Sequence, residues 1–248
     1  FGLGGFLIVA SGRRRVSPGG ISVAIHANAL PSDYELGEYR LVSVLGEGGF
    51  GITYQAEDCN LNCPVAIKEY LPTQLAKRLE DGTVVSLSAT HAPYFGDWKR
   101  RFLDEARVLA RFRHPSIVRV LRFFEGNGTA YLVMEMEQGT TLEHYLKQLN
   151  RPPSQQELDA IIGPVLDGLG VVHAAGYLHR DIKPQNIIIR PDGSPVLIDF
   201  GAARLEVTGR SRTLTSVYTP GYAAPEQYAE HGRLGPWTDL YALGAVLY

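Results

Sequence analysis

The stretch LGEGGFGITY, Leu45 to Tyr54, places Gly46, Gly48 and Gly51 in the pattern G-x-G-x-x-G. Glycines at this spacing let a backbone come close to phosphates. Their flanks narrow the choice of fold. YRLVSVLG precedes the loop, GITYQAED continues it and CPVAIKEYL follows. All three are rich in β-formers, so the order reads strand, glycine loop, strand, turn, strand. A dinucleotide-binding fingerprint requires a helix directly after the loop. ITYQAED is short and ends in turn residues, so it opens no helix. The phosphates of ATP, or a plain glycine-rich turn, remain.

Downstream, residues 72–96 read as irregular, with DGTVVSLS as an extra strand. A helix follows over WKRRFLDEARVLARFR. At about 100° per residue its apolar stripe holds Trp98, Phe102, Leu109 and Phe112. Glu105 falls in the middle of that stripe, where a carboxylate needs a cation. IVRVLRFFE, the turn GNG and TAYLVMEM read as a hairpin, and EQGTTLEHYLKQL as a short helix. Ser154 and Glu157 form a capping box. It opens a helix with Leu158, Ile161, Ile162, Val165, Leu166 and Leu169 on its apolar face, running to about Ala175. Gly163 and Pro164 predict a kink in it. NIIIR and PVLIDFG make a second hairpin around PDG. Strands first and helices later, with one small hairpin between them, predict an α+β protein in two lobes.

Composition adds little beyond a globular class: 45% of the 248 residues are hydrophobic and 20% charged. A net charge of −2 gives no footprint of a nucleic-acid partner. Cys59 and Cys63 are too few for a disulfide framework or a four-cysteine zinc site, and a reduced intracellular setting is the default. FGLGGFLIVA at the start is too short to span a bilayer, which needs about 20 residues. Followed by Arg13, Arg14 and Arg15, it reads as the end of a membrane helix with a basic flank, or as a leader without fixed structure. With Phe1 in first place the chain reads as a fragment or a processed form.

Several polar motifs then come in a definite order. VAIK holds Lys68, YLHRDIKPQN holds Asp181, Lys183 and Asn186, IDFG holds Asp199, and YTPGYAAPEQY holds Thr219 and Glu226. With the glycine loop, the set from Tyr39 to Tyr248 resembles that of eukaryotic-type (Hanks-type) serine/threonine protein kinases. GGFGITY, VAIKEYLP and GPWTDLYALGAVLY are most similar to bacterial members. Lysine at Lys183 resembles the serine/threonine class rather than the tyrosine class. The resemblance implies a β-rich N-lobe over 39–137 and a mainly helical C-lobe over 138–248, incomplete in its central helix. Residues 1–38 form a leader and linker.

The resemblance also implies roles. Gly46, Glu47, Gly48, Gly49, Phe50 and Gly51 would cover the ATP phosphates, with Phe50 shielding the site from water. Lys68 would hold the α- and β-phosphates and pair with Glu105. Thr53, where the family usually has Val, Ala66 and Ile188 would enclose adenine. Met134 would be the gatekeeper, and the backbones of Glu135 and Glu137 the hinge. Asn186 and Asp199 would bind Mg²⁺, with Mn²⁺ as the other suitable ion. Asp181 would orient or accept the proton of the substrate hydroxyl, and Lys183 would stabilise the transferring phosphoryl group.

Arg180 would pair with a phosphorylated residue of the activation segment. That segment holds Ser211, Thr213, Thr215 and Ser216, and Thr215, eleven residues before Glu226, is the expected autophosphorylation site. Thr219 would bridge Asp181 and Lys183, and Asp239 would brace the Asp181 loop. The implied partners are ATP and proteins bearing serine or threonine, with no nucleic acid, a dimer for autophosphorylation and a membrane anchor outside the kinase domain. The implied setting is cytoplasmic, with membrane association of a full-length protein.

Two departures stand out. Lys68 and Glu105 are 37 positions apart, farther than is usual in the family, so residues 72–96 are an extra stretch, which holds a helix in place, docks a partner or forms a surface insertion. WTDLYALGAVLY is apolar on all sides and reads as a central buried helix, but the chain stops inside it. An exposed apolar surface and an unpaired buried Glu226 are therefore expected. A pseudokinase or scaffold, or an inactive fragment, is the alternative of a different class. A small-molecule kinase is the other, and TPGYAAPEQ argues against it.

Overall fold

The computed structural model describes residues 28–200, 204–205, 219–229 and 232–248. Its first part is one antiparallel sheet. β1 (Glu35–Leu36), β2 (Tyr39–Gly48), β3 (Gly51–Asp58) and β4 (Cys63–Tyr70) follow in sequence. β7 (Val120–Gly126) and β8 (Thr129–Glu135) complete it, in the order β1-β2-β3-β4-β8-β7. Irregular register between Leu41 and Ser43, and between Val44 and Gly46, bends β2 just before the glycine loop. Side chains alternate across a strand, and here each face feeds a different core. Ala66, Leu132 and Met134 join the apolar cluster shared with the helical part. Val65, Ile67, Tyr54, Tyr131 and Val133 join a second cluster with Leu30, Leu36, Ala76 and Val84.

The insertion is built into that second core. β5 (Ala76–Arg78) and β6 (Val84–Ser86) form a hairpin, so the strand expected in DGTVVSLS is present. It leans on the β7–β8 turn, where the Val84 N–H donates to the Asn127 carbonyl at 2.7 Å. α1 (Ala92–Leu109) starts six residues earlier than the sequence pattern suggested and ends sooner. Pro93 stands in its first turn, where a missing N–H costs nothing. Its buried residues are Phe95, Leu103, Ala106 and Leu109, so Trp98 and Phe102 lie at the edge of the stripe rather than at its centre.

β9 (Thr140–Thr141) leads into α2 (Leu142–Leu149), which Thr141 caps. α3 (Gln155–Ala174) opens with the expected capping box. The Glu157 N–H donates to Ser154 Oγ, and Glu157 Oε2 accepts from the Ser154 N–H at 2.7 Å. Leu166, expected on the apolar face, is exposed. Then come β10 (Tyr177–Leu178), the hairpin of β11 (Ile187–Ile189) and β12 (Pro195–Leu197), and β13 (Arg204–Leu205), which pairs with β10.

α4 (Pro225–Tyr228) and α5 (Pro236–Leu247) close the described chain. α5 buries Thr238, Asp239, Ala242 and Leu243 and leaves the exposed apolar surface that was expected. Trp237, Leu240, Tyr241 and Leu247 are exposed. Glu226 is half-buried and accepts the Thr238 hydroxyl at 2.8 Å, so it is not the unpaired buried acid that was expected. Cys59 and Cys63 are free thiols. Among the described residues no helix is long and apolar enough to cross a membrane.

Candidate active site

β4 points Lys68 into a cavity whose walls include Glu105, Leu109, Met134, Asp199 and Phe200. Thr53 stands opposite Lys68 on β3, and Met134 opposite Ala66 on β8. Ala66, Met134 and Ile188 share one apolar cluster, with Ile188 fully buried on β11. The Lys68 ammonium is ion-paired with Asp199. Burial works against both charges. Each offsets this for the other, so the lysine pKa is raised and that of the carboxyl lowered. Glu105 was expected to be the partner of Lys68. It lines the same cavity, and its charge also raises the lysine pKa. Asp199 has φ +60°, a left-handed conformation uncommon outside glycine.

The loop between β10 and β11 gathers the polar residues of YLHRDIKPQN. Asp181 Oδ2 accepts from Lys183 Nζ at 2.8 Å and from Asn186 Nδ2 at 3.0 Å, and Oδ1 accepts from the Thr219 hydroxyl at 2.8 Å. Lys183 Nζ also reaches Thr219 Oγ1 at 3.1 Å. Asn186 is fully buried, and among the described residues its Oδ1 has no hydrogen-bond partner. A buried acceptor left open is unusual in a folded protein. It fits a hard cation, which takes carbonyl and carboxylate oxygens.

This loop is held from behind by Asp239 of α5. Its carboxylate accepts the His179 and Arg180 N–H groups, each at 2.8 Å, and lies 2.7 Å from His173 Nε2. Arg180 has φ +67°, so these bonds maintain a strained residue. His179 is buried, and burial pushes its pKa down. As a neutral ring it donates from Nε2 to the Ile198 carbonyl at 3.1 Å and accepts the Asp181 N–H on Nδ1 at 3.3 Å. The Phe200 ring packs on it, 4.4 Å between centroids.

The glycine loop is a tight hairpin: Gly46 faces Thr53 and Gly48 faces Gly51, so Gly49 and Phe50 make the turn. Phe50 stacks on Trp98 of α1, 5.9 Å between centroids. Its carbonyl accepts the Leu71 N–H at 2.9 Å. Gly51 has a reason to be glycine apart from phosphate. A Cβ there would stand 1.8 Å from the Glu69 carbonyl oxygen of β4. Gly51→Ala is therefore expected to destabilise the fold by roughly 2–3 kcal/mol through overpacking, read as a lowered urea midpoint. The Glu135 N–H donates to the Arg119 carbonyl at 2.9 Å. The Glu137 carboxylate takes Arg190 in a two-pronged pair, with both contacts at 2.7 Å.

Sequence reasoning missed the partners that tertiary folding supplies: Trp98 for Phe50, His173 for Asp239 and Arg190 for Glu137. Thr215, the expected autophosphorylation site, lies outside the described residues, as do Ser211, Thr213 and Ser216.

Comparison with known proteins points to one family. Residues 39–248 match the model of the protein kinase domain. Serine/threonine-protein kinase PknA of Mycobacterium tuberculosis is 35% identical over 218 residues, which are 86% of this chain and 46% of that protein. The probable serine/threonine-protein kinase PknB of Lactococcus lactis is 32% identical over 212 residues, 85% of this chain and 31% of that protein. A solved structure described as the apo form of PpkA-294 is 44% identical. It superposes with a TM-score of 0.75, covering 89% of this chain and 77% of its own. The fold is that of a protein kinase, and the chain belongs to the protein kinase family. It spans between a quarter and about half of the length of the curated relatives named PLK4, PknB and PknA.

Proposed function

We propose that the chain is the catalytic region of a serine/threonine protein kinase that transfers the γ-phosphate of ATP to protein hydroxyls. The observation that carries this is the Asp181–Lys183–Asn186–Thr219 cluster, set in the same cleft region as Lys68 and Asp199. Phosphoryl transfer needs positioned charge more than covalent chemistry. Asp181 would take the proton of an incoming hydroxyl. Lys183, held to Asp181 and Thr219, would meet charge on the transferring group.

Lys68 and Asp199 satisfy each other here. An ATP phosphate would give Lys68 a second anion, and a divalent cation would give Asp199 a second positive charge. Asp199 and the open Asn186 Oδ1 would hold that cation, and Mg²⁺ is the one we favour. When bound, it would neutralise phosphate charge. Ala66, Met134 and Ile188 would contact adenine, and the backbones of Glu135 and Glu137 would bond its edge. Thermal unfolding with and without Mg²⁺·ATP tests nucleotide binding. A raised midpoint supports the reading, and an unchanged one at saturating nucleotide counts against it.

Thr215 is the proposed autophosphorylation site, facing Arg180 once modified. Mass spectrometry after incubation with Mg²⁺·ATP should find phosphate there, and Thr215→Ala should lower activity several-fold. Full activity of that variant, with no phosphate at Thr215, would remove the site from the proposal.

A further inference from the structure

Glu69 is one residue past Lys68, fully buried, and on the face of β4 away from the cleft. Burying a carboxylate is costly unless it is paired and hydrogen-bonded. Glu69 accepts the Tyr54 hydroxyl at 2.9 Å and the Tyr131 hydroxyl at 2.6 Å, and it is ion-paired with Arg78. Arg78 comes from β5 of the inserted hairpin. Its Nε donates to the Asn28 carbonyl at 2.7 Å and its Nη1 to the Gly82 carbonyl at 2.8 Å. Burial opposes its charge, and Glu69 more than offsets this, so the guanidinium pKa is raised.

The network extends further. The Leu30 N–H donates to the Tyr54 hydroxyl at 3.1 Å, and Asn127 Nδ2 to the Tyr131 hydroxyl at 3.0 Å. The next residue, Tyr70, stacks on Phe95 of α1 with 5.5 Å between centroids, and its ring lies 5.6 Å from that of Phe102. The end of β4 is thus fixed by the hairpin on one face and by the Glu105 helix on the other. Loss of the ion pair would free the strand to shift against both.

We propose that Glu69 and Arg78 are positioning residues for phosphoryl transfer, through which the inserted hairpin fixes the placement of Lys68. The inference rests on the kinase reading and deepens it. A misplacement of about 1 Å at a reacting centre can cost roughly 10²-fold in rate, so a partial shift of Lys68 should be measurable.

The test compares Arg78→Met, Arg78→Lys and the pair Glu69→Gln with Arg78→Met, all in the complete chain and well below their unfolding midpoints. Arg78→Met should lower kcat by roughly tenfold and weaken Mg²⁺·ATP binding by a similar factor, with KM for the protein substrate unchanged. Arg78→Lys should recover most of the loss. The double variant should be less impaired than Arg78→Met alone, because it leaves no unpaired buried charge. If Arg78→Met does not fold, the other two variants are judged on the same readouts. A lowered melting temperature with wild-type kcat and ATP affinity would overturn the inference, leaving the pair a purely structural brace. ATP affinity by calorimetry needs no turnover. An inactive wild type would therefore count against the kinase reading alone, while the affinities of the variants still decide this one.

Discussion

Asp181→Asn is expected to lower kcat for phosphate transfer to a protein hydroxyl by about 10³-fold, with Mg²⁺·ATP affinity nearly unchanged. The hydrogen bonds around Asp181 explain why the effect should be confined to chemistry. Oδ2 accepts from Lys183 and Asn186, and Oδ1 from Thr219. An asparagine can keep its oxygen towards Lys183 and Asn186 and turn its amide towards Thr219. A threonine hydroxyl both donates and accepts, so Thr219 can reverse its role at little cost. The shape survives, but the group able to accept a proton is gone. Single-turnover transfer and calorimetric ATP binding, measured on the same preparation, separate the two quantities. Residual activity within tenfold of wild type would mean that Asp181 does not act on the substrate proton. Weakened ATP binding would mean that it serves mainly to shape the site.

What was legible in the sequence is what the chain writes locally. The strand order around the glycine loop and the Ser154–Glu157 capping box each depend on a few consecutive residues, and the structure has them. The two-lobed α+β class followed from the order of such segments. Contacts across the sequence were less visible. Glu105 could be read as a carboxylate wanting a cation, but nothing local says that the Lys68 ammonium pairs with Asp199, 131 positions away. Glu69 looked like one more residue of a strand until folding brought Arg78 and two tyrosines to it. The start of α1 was hidden because Pro93 and Gly96 look like loop residues, although a proline in a first helical turn is well tolerated. α5 shows the same limit from another side. A helix apolar all round does not say which face its neighbours cover, and here Asp239 and Thr238 mark the buried one.

Asp239→Ala should lower the unfolding free energy by roughly 3–4 kcal/mol at neutral pH, because it removes the acceptor of several buried donors at once. The carboxylate is fully buried and accepts the N–H groups of two successive residues, His179 and Arg180, with His173 Nε2 as a third neighbour. Arg180 holds a positive φ that costs about 1–3 kcal/mol unless its surroundings enforce it. Without Asp239 that residue can relax, and Asp181 moves with it, so kcat should fall as well as stability. Burial alone would raise the Asp239 pKa. The bonds from His173 and the two N–H groups, with the nearby His179, outweigh it, and the folded pKa lies below the ordinary value of 3.8. The sign of the pH dependence follows. The stabilisation is complete above about pH 5 and is lost as pH falls through the depressed folded pKa. Urea unfolding of wild type and Asp239→Ala should therefore show a gap at pH 7 that narrows by pH 3. A gap unchanged by acid would mean that packing of the side chain, rather than its charge, holds the catalytic loop.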